Sequence, residues 1–168
     1  VRDGQISELN WSLEPASPVF SPNLIWICTK AFNAEQVATT LVKKYPDAAI
    51  ILLHNGMGPQ EAIRKLTPNL CILGTTTCGA YSHKVGHYTQ TLDGRTLLGC
   101  PALTSKDSES RTILDEILCR SSDFNLQKSD DIEIELWNKL LVNAVINPIT
   151  AYYQILNGEL LKAKYEQD

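Results

Sequence analysis

Glu135-Leu136-Trp137-Asn138-Lys139-Leu140-Leu141-Val142-Asn143-Ala144-Val145-Ile146-Asn147-Pro148 reads as one helix, apolar over most of its surface. Glu135, Lys139, Asn143 and Asn147 recur at a spacing of four. At ~3.6 residues per turn such a row drifts only about 120° over three turns, so the four share one stripe. Leu136, Leu140, Leu141, Val142, Val145 and Ile146 cover the rest, which sets the stripe apart from an ordinary solvated face. A buried amide or ammonium without a partner costs about 1–3 kcal/mol. Two readings follow. The row is a solvent stripe whose amides bond a neighbouring loop, or it lines a polar cleft. A lysine and two asparagines in one row favour the cleft.

Upstream of this helix the pattern alternates. Asn23 to Thr29 is a continuous apolar run, as in a strand covered on both faces, with Lys30 at its carboxyl end. Asn33 and Gln36 form a capping-box pattern for a helix reaching about Lys44. Ala48 to Leu53 is a second buried strand, ending in His54-Asn55-Gly56-Met57-Gly58, and Pro59 opens a helix to Lys65. Strand, helix, strand, helix predicts a parallel sheet with helical crossovers. Cys71 to Thr77 continues it. Val85 to Leu92 and Arg95 to Cys100 flank Asp93-Gly94, a two-residue hairpin signal, so the sheet is expected to end in antiparallel strands.

Ser108 to Arg120 has the spacing of an amphipathic helix, and 121–130 reads as a polar connection. Asp130 or Asp131 is placed to cap the helix that opened this reading, and Pro148 to end or kink it. An apolar segment follows to Leu156, then Asn157-Gly158 and a helical stretch from Glu159 to Glu166. Residues 1–22, with three prolines, read as loop or short edge strands. The fold class is α/β: parallel strands plus an antiparallel hairpin, followed by the start of an all-α part. The division is placed at 1–125 and 126–168.

Composition narrows the function. The 168 residues carry a net charge of -4 with acids and bases mixed, and no basic patch interleaved with aromatics, so nucleic acid is not an expected partner. No apolar run approaches the ~20 residues that cross a bilayer, and no signal-peptide pattern opens the chain. The five cysteines are odd in number and scattered, which fits reduced thiols in a cytoplasmic protein. A homodimer is left open.

Open parallel sheets bind ligands at their strand ends. Three loops qualify here: Thr29-Lys30, Asn55-Gly56-Met57-Gly58, and Thr75 to Ala80. The second is no dinucleotide fingerprint, because the third glycine of G-x-G-x-x-G would fall at Glu61. Taken alone it is a tight turn. Cys78, His83 and His87 match no compact zinc spacing and lack a fourth ligand, so no metal is expected. Cys78 with a nearby histidine is a nucleophile pattern without fixed geometry, and a packed free cysteine is the simpler reading.

Together, H-N-G-M-G at 54–58, G-T-T-T-C-G-A-Y at 74–81, E-L-W-N-K-L-L-V-N-A-V-I-N-P-I-T-A at 135–151 and N-G-E-L at 157–160 resemble ketopantoate reductase (2-dehydropantoate 2-reductase). The resemblance spans roughly residues 23–162, and its third motif is the most specific. It implies an oxidoreductase that reduces ketopantoate to pantoate with NADPH, on the route to pantothenate and coenzyme A. It also implies a Rossmann-type domain, a helical domain and an active site between them. By the resemblance Lys139 matches the catalytic lysine. Asn143, Asn147 and Asn157 match substrate-binding asparagines, and Asn55 one that meets both nicotinamide and substrate. Lys30 and Ala80 match cofactor contacts. Cys78 stands where many relatives have histidine and receives no role.

The chemistry agrees with the residues. A ketone receiving hydride develops negative charge on oxygen, which a lysine ammonium stabilises and protonates. The family's glycine-rich phosphate loop and the remainder of its helical domain are expected outside these residues, since the chain opens on Val and reads as the middle of an enzyme. By itself this piece is expected to turn over little or nothing. Two alternatives stand beside this reading: a related reductase of another 2-oxo acid, and a non-catalytic fragment that binds a metabolite or a partner.

Overall fold

The computed structural model describes residues 21–67, 71–84, 87–101, 108–120 and 125–160. Leu24–Ile27 (β1), Ala49–Leu52 (β2) and Cys71–Thr76 (β3) are parallel neighbours, with helices Ala31–Lys44 (α1) and Pro59–Leu66 (α2) between them in the chain. Gly79–Lys84 (β4) and His87–Leu92 (β5) form a separate antiparallel ribbon. Thr96–Gly99 (β6) returns to the sheet antiparallel to β3. Helix Ser108–Arg120 (α3) follows, then Leu126–Lys128 (β7), parallel to β6. The sheet order is β1-β2-β3-β6-β7. Helix Ile132–Tyr153 (α4) and a 3-10 turn at Asn157–Glu159 complete the described chain. This is the expected α/β, Rossmann-type architecture.

Side chains alternate across a strand, so each central strand serves two cores. Ile50, Leu52, Leu73 and Leu97 face one side, packed with Ala34 and Ala38 of α1, Ile63 of α2, and Ile132 and Leu136 of α4. Ile51, Ile72 and Leu98 face the other and meet Leu114 of α3. Fully burying one such side chain stabilises by about 1.5–3 kcal/mol. Among the described residues the layers are therefore helices, sheet and a single helix. Among the described residues α4 keeps much of its outer side in solvent: Trp137, Leu141, Val145 and Tyr152 are all more than half exposed.

Several local expectations give way to tertiary contacts. The Asp93-Gly94 hairpin does not form, for β5 pairs with β4 and β6 pairs with β3. Gly94 has no positive φ; its lack of a side chain instead lets the chain cross the backbone of Thr77 and Cys78. The capping box at Asn33 is also absent. α1 starts three residues earlier, behind Lys30, whose carbonyl accepts from Asn33 N–H at 3.0 Å. Early entry into the helix lets Ala34 and Ala38 reach the sheet with no exposed surface. β1 is not covered on both faces: it is an edge strand among the described residues, with Trp26 39% exposed.

The polar connection at 121–130 contains β7, so the sheet runs past residue 125 to Lys128. Asp131 is the residue that caps α4, accepting from Ile134 N–H at 3.1 Å. Pro148 does not end that helix. A proline inside a helix removes one hydrogen bond and costs about 3 kcal/mol, but the carbonyl it strands belongs to Ala144, an exposed residue, which keeps the cost low. One turn on, Thr150 Oγ1 donates to the carbonyls of Ile146 and Asn147, at 2.9 and 3.2 Å. The helix closes only at Gln154, in the left-handed region at φ 53°. Expectations for residues 1–20 and 161–168 lie outside the described residues.

Candidate active site

α4 turns toward the sheet with Ile132, Leu136, Lys139, Asn143, Ile146 and Thr150, a row of alternating steps of four and three. The first two are buried in the core. The third falls where β3 ends at Thr76, so a lysine meets a polar edge instead of hydrocarbon. Its Nζ donates to Asn55 Oδ1 at 2.8 Å and to the Thr76 carbonyl at 2.6 Å. An ammonium has three N–H donors, which leaves one without a partner among the described residues. Partial burial pulls the lysine below its ordinary value of 10.5, and nearby Cys78 acts in the opposite direction.

Asn55 stands at the carboxyl end of β2, ahead of Gly56 and Gly58 at φ +94° and +123°, a region L side chains rarely adopt. Gln60, only 6% exposed, holds this loop. Its Oε1 accepts from Gly58 N–H at 2.7 Å, and its Nε2 donates to the Gly56 carbonyl at 3.1 Å. Gln60→Ala is expected to lower stability by about 1–2 kcal/mol in urea unfolding, with Gln60→Glu in between because it keeps the acceptor.

His54, 4% exposed, sits directly before Asn55, with Nδ1 3.4 Å from the Asn55 carbonyl and Nε2 without a partner among the described residues. Burial lowers its pKa from 6.5, and the Asn55 carbonyl opposes this. The unfolded chain therefore binds the proton first. Stability linked to His54 is full above about pH 6.5 and is lost as pH falls toward the lower folded value. Unfolding free energies at pH 7.5 and pH 5.5 should differ more for the wild type than for His54→Phe.

Parallel β1, β2 and β3 bring their carboxyl ends to one edge, and antiparallel β6 brings its amino end there, since Thr76 faces Thr96. Lys30, Asn55 and Lys139 thus share that edge. The structure joins Lys139 to Asn55 directly. Asn143 is half-buried one turn beyond, about 6 Å along the axis, and Asn147 about 12 Å along is exposed, one position off the inward row. Asn157 opens the 3-10 turn after the helix, and Ala80 is exposed on the ribbon. His83 turns to Thr89 Oγ1 at 2.7 Å, and among the described residues no group of three His, Cys, Asp or Glu side chains could hold a metal ion.

Beside Lys139 lies an open groove of about 240 Å³. Thr75, Thr77, Arg95 and Leu97 line it from the sheet, and Glu135, Asn138 and Val142 from the helix. Sequence reasoning placed Thr76 in a candidate loop but missed Arg95 and Asn138. Neither carries a local signal, because packing of α4 on the paired strands β3 and β6 brings them together.

Residues 7–102 match the family model for ketopantoate reductase PanE/ApbA, and residues 131–168 match the model for its C-terminal part. The chain belongs to the ketopantoate reductase PanE/ApbA family. It is 32% identical over 141 residues to the 2-dehydropantoate 2-reductase of Archaeoglobus fulgidus, covering 83% of this chain and 46% of that protein. Against the 2-dehydropantoate 2-reductase of Escherichia coli O157:H7 it is 33% identical, covering 94% and 50%. The chain spans about half the length of the curated relatives it matches. Its fold is similar to 2-dehydropantoate 2-reductase from Geobacter metallireducens, with TM-score 0.68, 23% identity, and 88% and 49% of the two chains covered. D-mandelate dehydrogenase in complex with NADH has TM-score 0.67 at 24% identity, with 84% and 46% covered. The two family models meet the chain on either side of the step from sheet to α4.

Proposed function

We propose that the full-length protein reduces ketopantoate (2-dehydropantoate) to pantoate with NADPH. One observation carries this: the Lys139 ammonium, held by Asn55 and the Thr76 carbonyl at the ligand-binding edge of the sheet, with one N–H left to give. Family membership supports it, as does the name shared by the relatives above. NADPH, when bound, supplies the hydride. Lys139 stabilises the developing alkoxide and passes it a proton, so ketone, hydride and proton yield the alcohol. Asn143, Asn147 and Asn157 hydrogen-bond the substrate's polar groups.

The residues present fit the nicotinamide end of a cofactor. Asn55 Nδ2 makes no hydrogen bond among the described residues, and Gly58 has open space where a Cβ would stand. Lys30, Asn55 and the Ala80 backbone are the proposed contacts. The domain reading is also kept as a proposal: a nucleotide-binding part to about residue 125 and the start of a helical part from 126. The five free cysteines fit a reducing compartment, and we place the protein in the cytoplasm. A homodimer is proposed from the similarity to a dimeric ketopantoate reductase of Staphylococcus aureus, TM-score 0.63 at 23% identity. Among the described residues no helix is long and apolar enough to cross a membrane.

A fold shared with D-mandelate dehydrogenase bound to NADH and anilino(oxo)acetate, TM-score 0.65, favours a second reading: reduction of another 2-oxo acid. The experiment is NADPH oxidation by the full-length protein against ketopantoate and a panel of 2-oxo acids. Ketopantoate is expected to give the highest kcat/KM, and NADH to serve less well. No oxidation with ketopantoate at any protein concentration would overturn the proposal.

A further inference from the structure

We propose that His54 and Thr75 are positioning residues for Lys139, holding between them a buried water that ties the end of β2 to the end of β3; the inference rests on the reading of the protein as a 2-oxo acid reductase. Both side chains are more than nine-tenths buried, and His54 Nε2 and Thr75 Oγ1 have no hydrogen-bond partner among the described residues. Buried polar atoms are seldom left so, and two of them on neighbouring strands point to one shared partner.

The two residues lie side by side. Among the described residues the ladder between β2 and β3 ends at Leu52 opposite Leu73. Continued by one residue it sets Leu53 beside Gly74, and a Cβ on that glycine would stand 2.9 Å from Leu53 Cδ1. Continued by three it sets Asn55 beside Thr76, the two residues that Lys139 Nζ joins at 2.8 and 2.6 Å. His54 and Thr75 fall between these two contacts. By alternation they follow Leu52 and Leu73 onto the face that α4 covers. Thr75 also lines the groove beside Lys139, which gives water a way in.

The hydrogen-bond roles agree. Burial keeps His54 neutral at pH 7, so one ring nitrogen donates and the other accepts. Nδ1 faces the Asn55 carbonyl at 3.4 Å and carries the hydrogen, which makes Nε2 the acceptor. A hydroxyl both gives and takes. A water that donates to Nε2 and bonds Thr75 Oγ1 satisfies both orphans, as buried waters commonly do. The effect reaches the lysine through its anchors. Its two acceptors belong to the residues directly after His54 and Thr75, beyond the last backbone pairing of the two strands. The bridge sets the spacing of Asn55 and Thr76, and with it the direction of the third ammonium hydrogen.

The test uses the full-length protein. Its crystal structure at high resolution is expected to show a water within hydrogen-bond reach of both Nε2 and Oγ1, and a dry gap overturns the proposal. Thr75→Val keeps the shape and removes the hydroxyl. It is expected to lower Tm by about 2–3 °C and kcat for ketopantoate by about tenfold, with KM changed less than about twofold. Thr75→Ser, which keeps the hydroxyl, should stay near the wild type in both. The 15N resonance of His54 Nε2 should move downfield in Thr75→Val, as an acceptor nitrogen does on losing its hydrogen bond. A hydroxyl with no partner gives the opposite sign: Thr75→Val would melt higher than the wild type, because an unpaired polar atom is gone. That result, or an unchanged kcat, overturns the proposal. If the wild type reduces no 2-oxo acid, the reductase reading falls separately, and the crystal structure and the melts still decide the bridge.

Discussion

Lys139→Ala in the full-length protein is expected to lower kcat for ketopantoate by about a thousandfold, the combined loss of an oxyanion donor and a general acid. The fold should survive. Lys139 sits at the rim of the core, and its neighbours in the inward row, Ile132 and Leu136, are what the sheet grips. Removing it leaves Asn55 Oδ1 and the Thr76 carbonyl without their donor, but Asn55 is exposed and Thr76 only partly buried, so solvent can replace it. Thermal melts and steady-state kinetics on one preparation check both halves. The pH profile adds a sign. The proton donor must be charged, so activity should fall as pH rises through the lysine's pKa, at a value below 10.5 because burial lowers it. Near-wild-type turnover in Lys139→Ala would remove the role assigned here.

Gly94→Ala is expected to cost about 3 kcal/mol or more, among the largest single effects in the chain. A Cβ there would stand on the Thr77 carbonyl carbon and 2.5 Å from the Cys78 nitrogen. These are backbone atoms, pinned by Thr77 N–H to the Arg95 carbonyl at 2.9 Å and by Arg95 N–H to Thr77 Oγ1 at 3.0 Å. Neither side can give without opening the junction between β3 and β6. That junction supplies the Thr76 carbonyl that holds Lys139, so activity should fall with stability. Gly158→Ala is the control: nothing lies within 4 Å of its added Cβ, and its cost should stay within about 0.5 kcal/mol. Urea unfolding of both variants gives the comparison, and equal stabilities would show that the crossing relaxes.

Much of the fold was legible because it is local. The apolar runs at β1, β2 and β3, the Pro59 start of α2 and the periodicity of α3 all predict their elements within a residue or two. What misled was also local. Asp93-Gly94 carries a hairpin signal in its own four residues, yet the strands on either side find other partners. Asn33 and Gln36 make a sound cap, yet burial of Ala34 and Ala38 outweighs it. A cap is worth about 1 kcal/mol, less than a helix gains by seating its face on a sheet.

The sequence by itself determined that a lysine and a row of amides lie along one apolar helix, since spacing within a helix fixes which residues share a face. It also determined that Asn55 ends a buried strand. Only the tertiary structure decided that these two meet, across 84 residues of chain, and that Arg95 lines the groove beside Lys139 while Asn147 turns away from the inward row. The reason is physical: a helix specifies its own faces, whereas the neighbour each face meets depends on strand order and on where the sheet runs out.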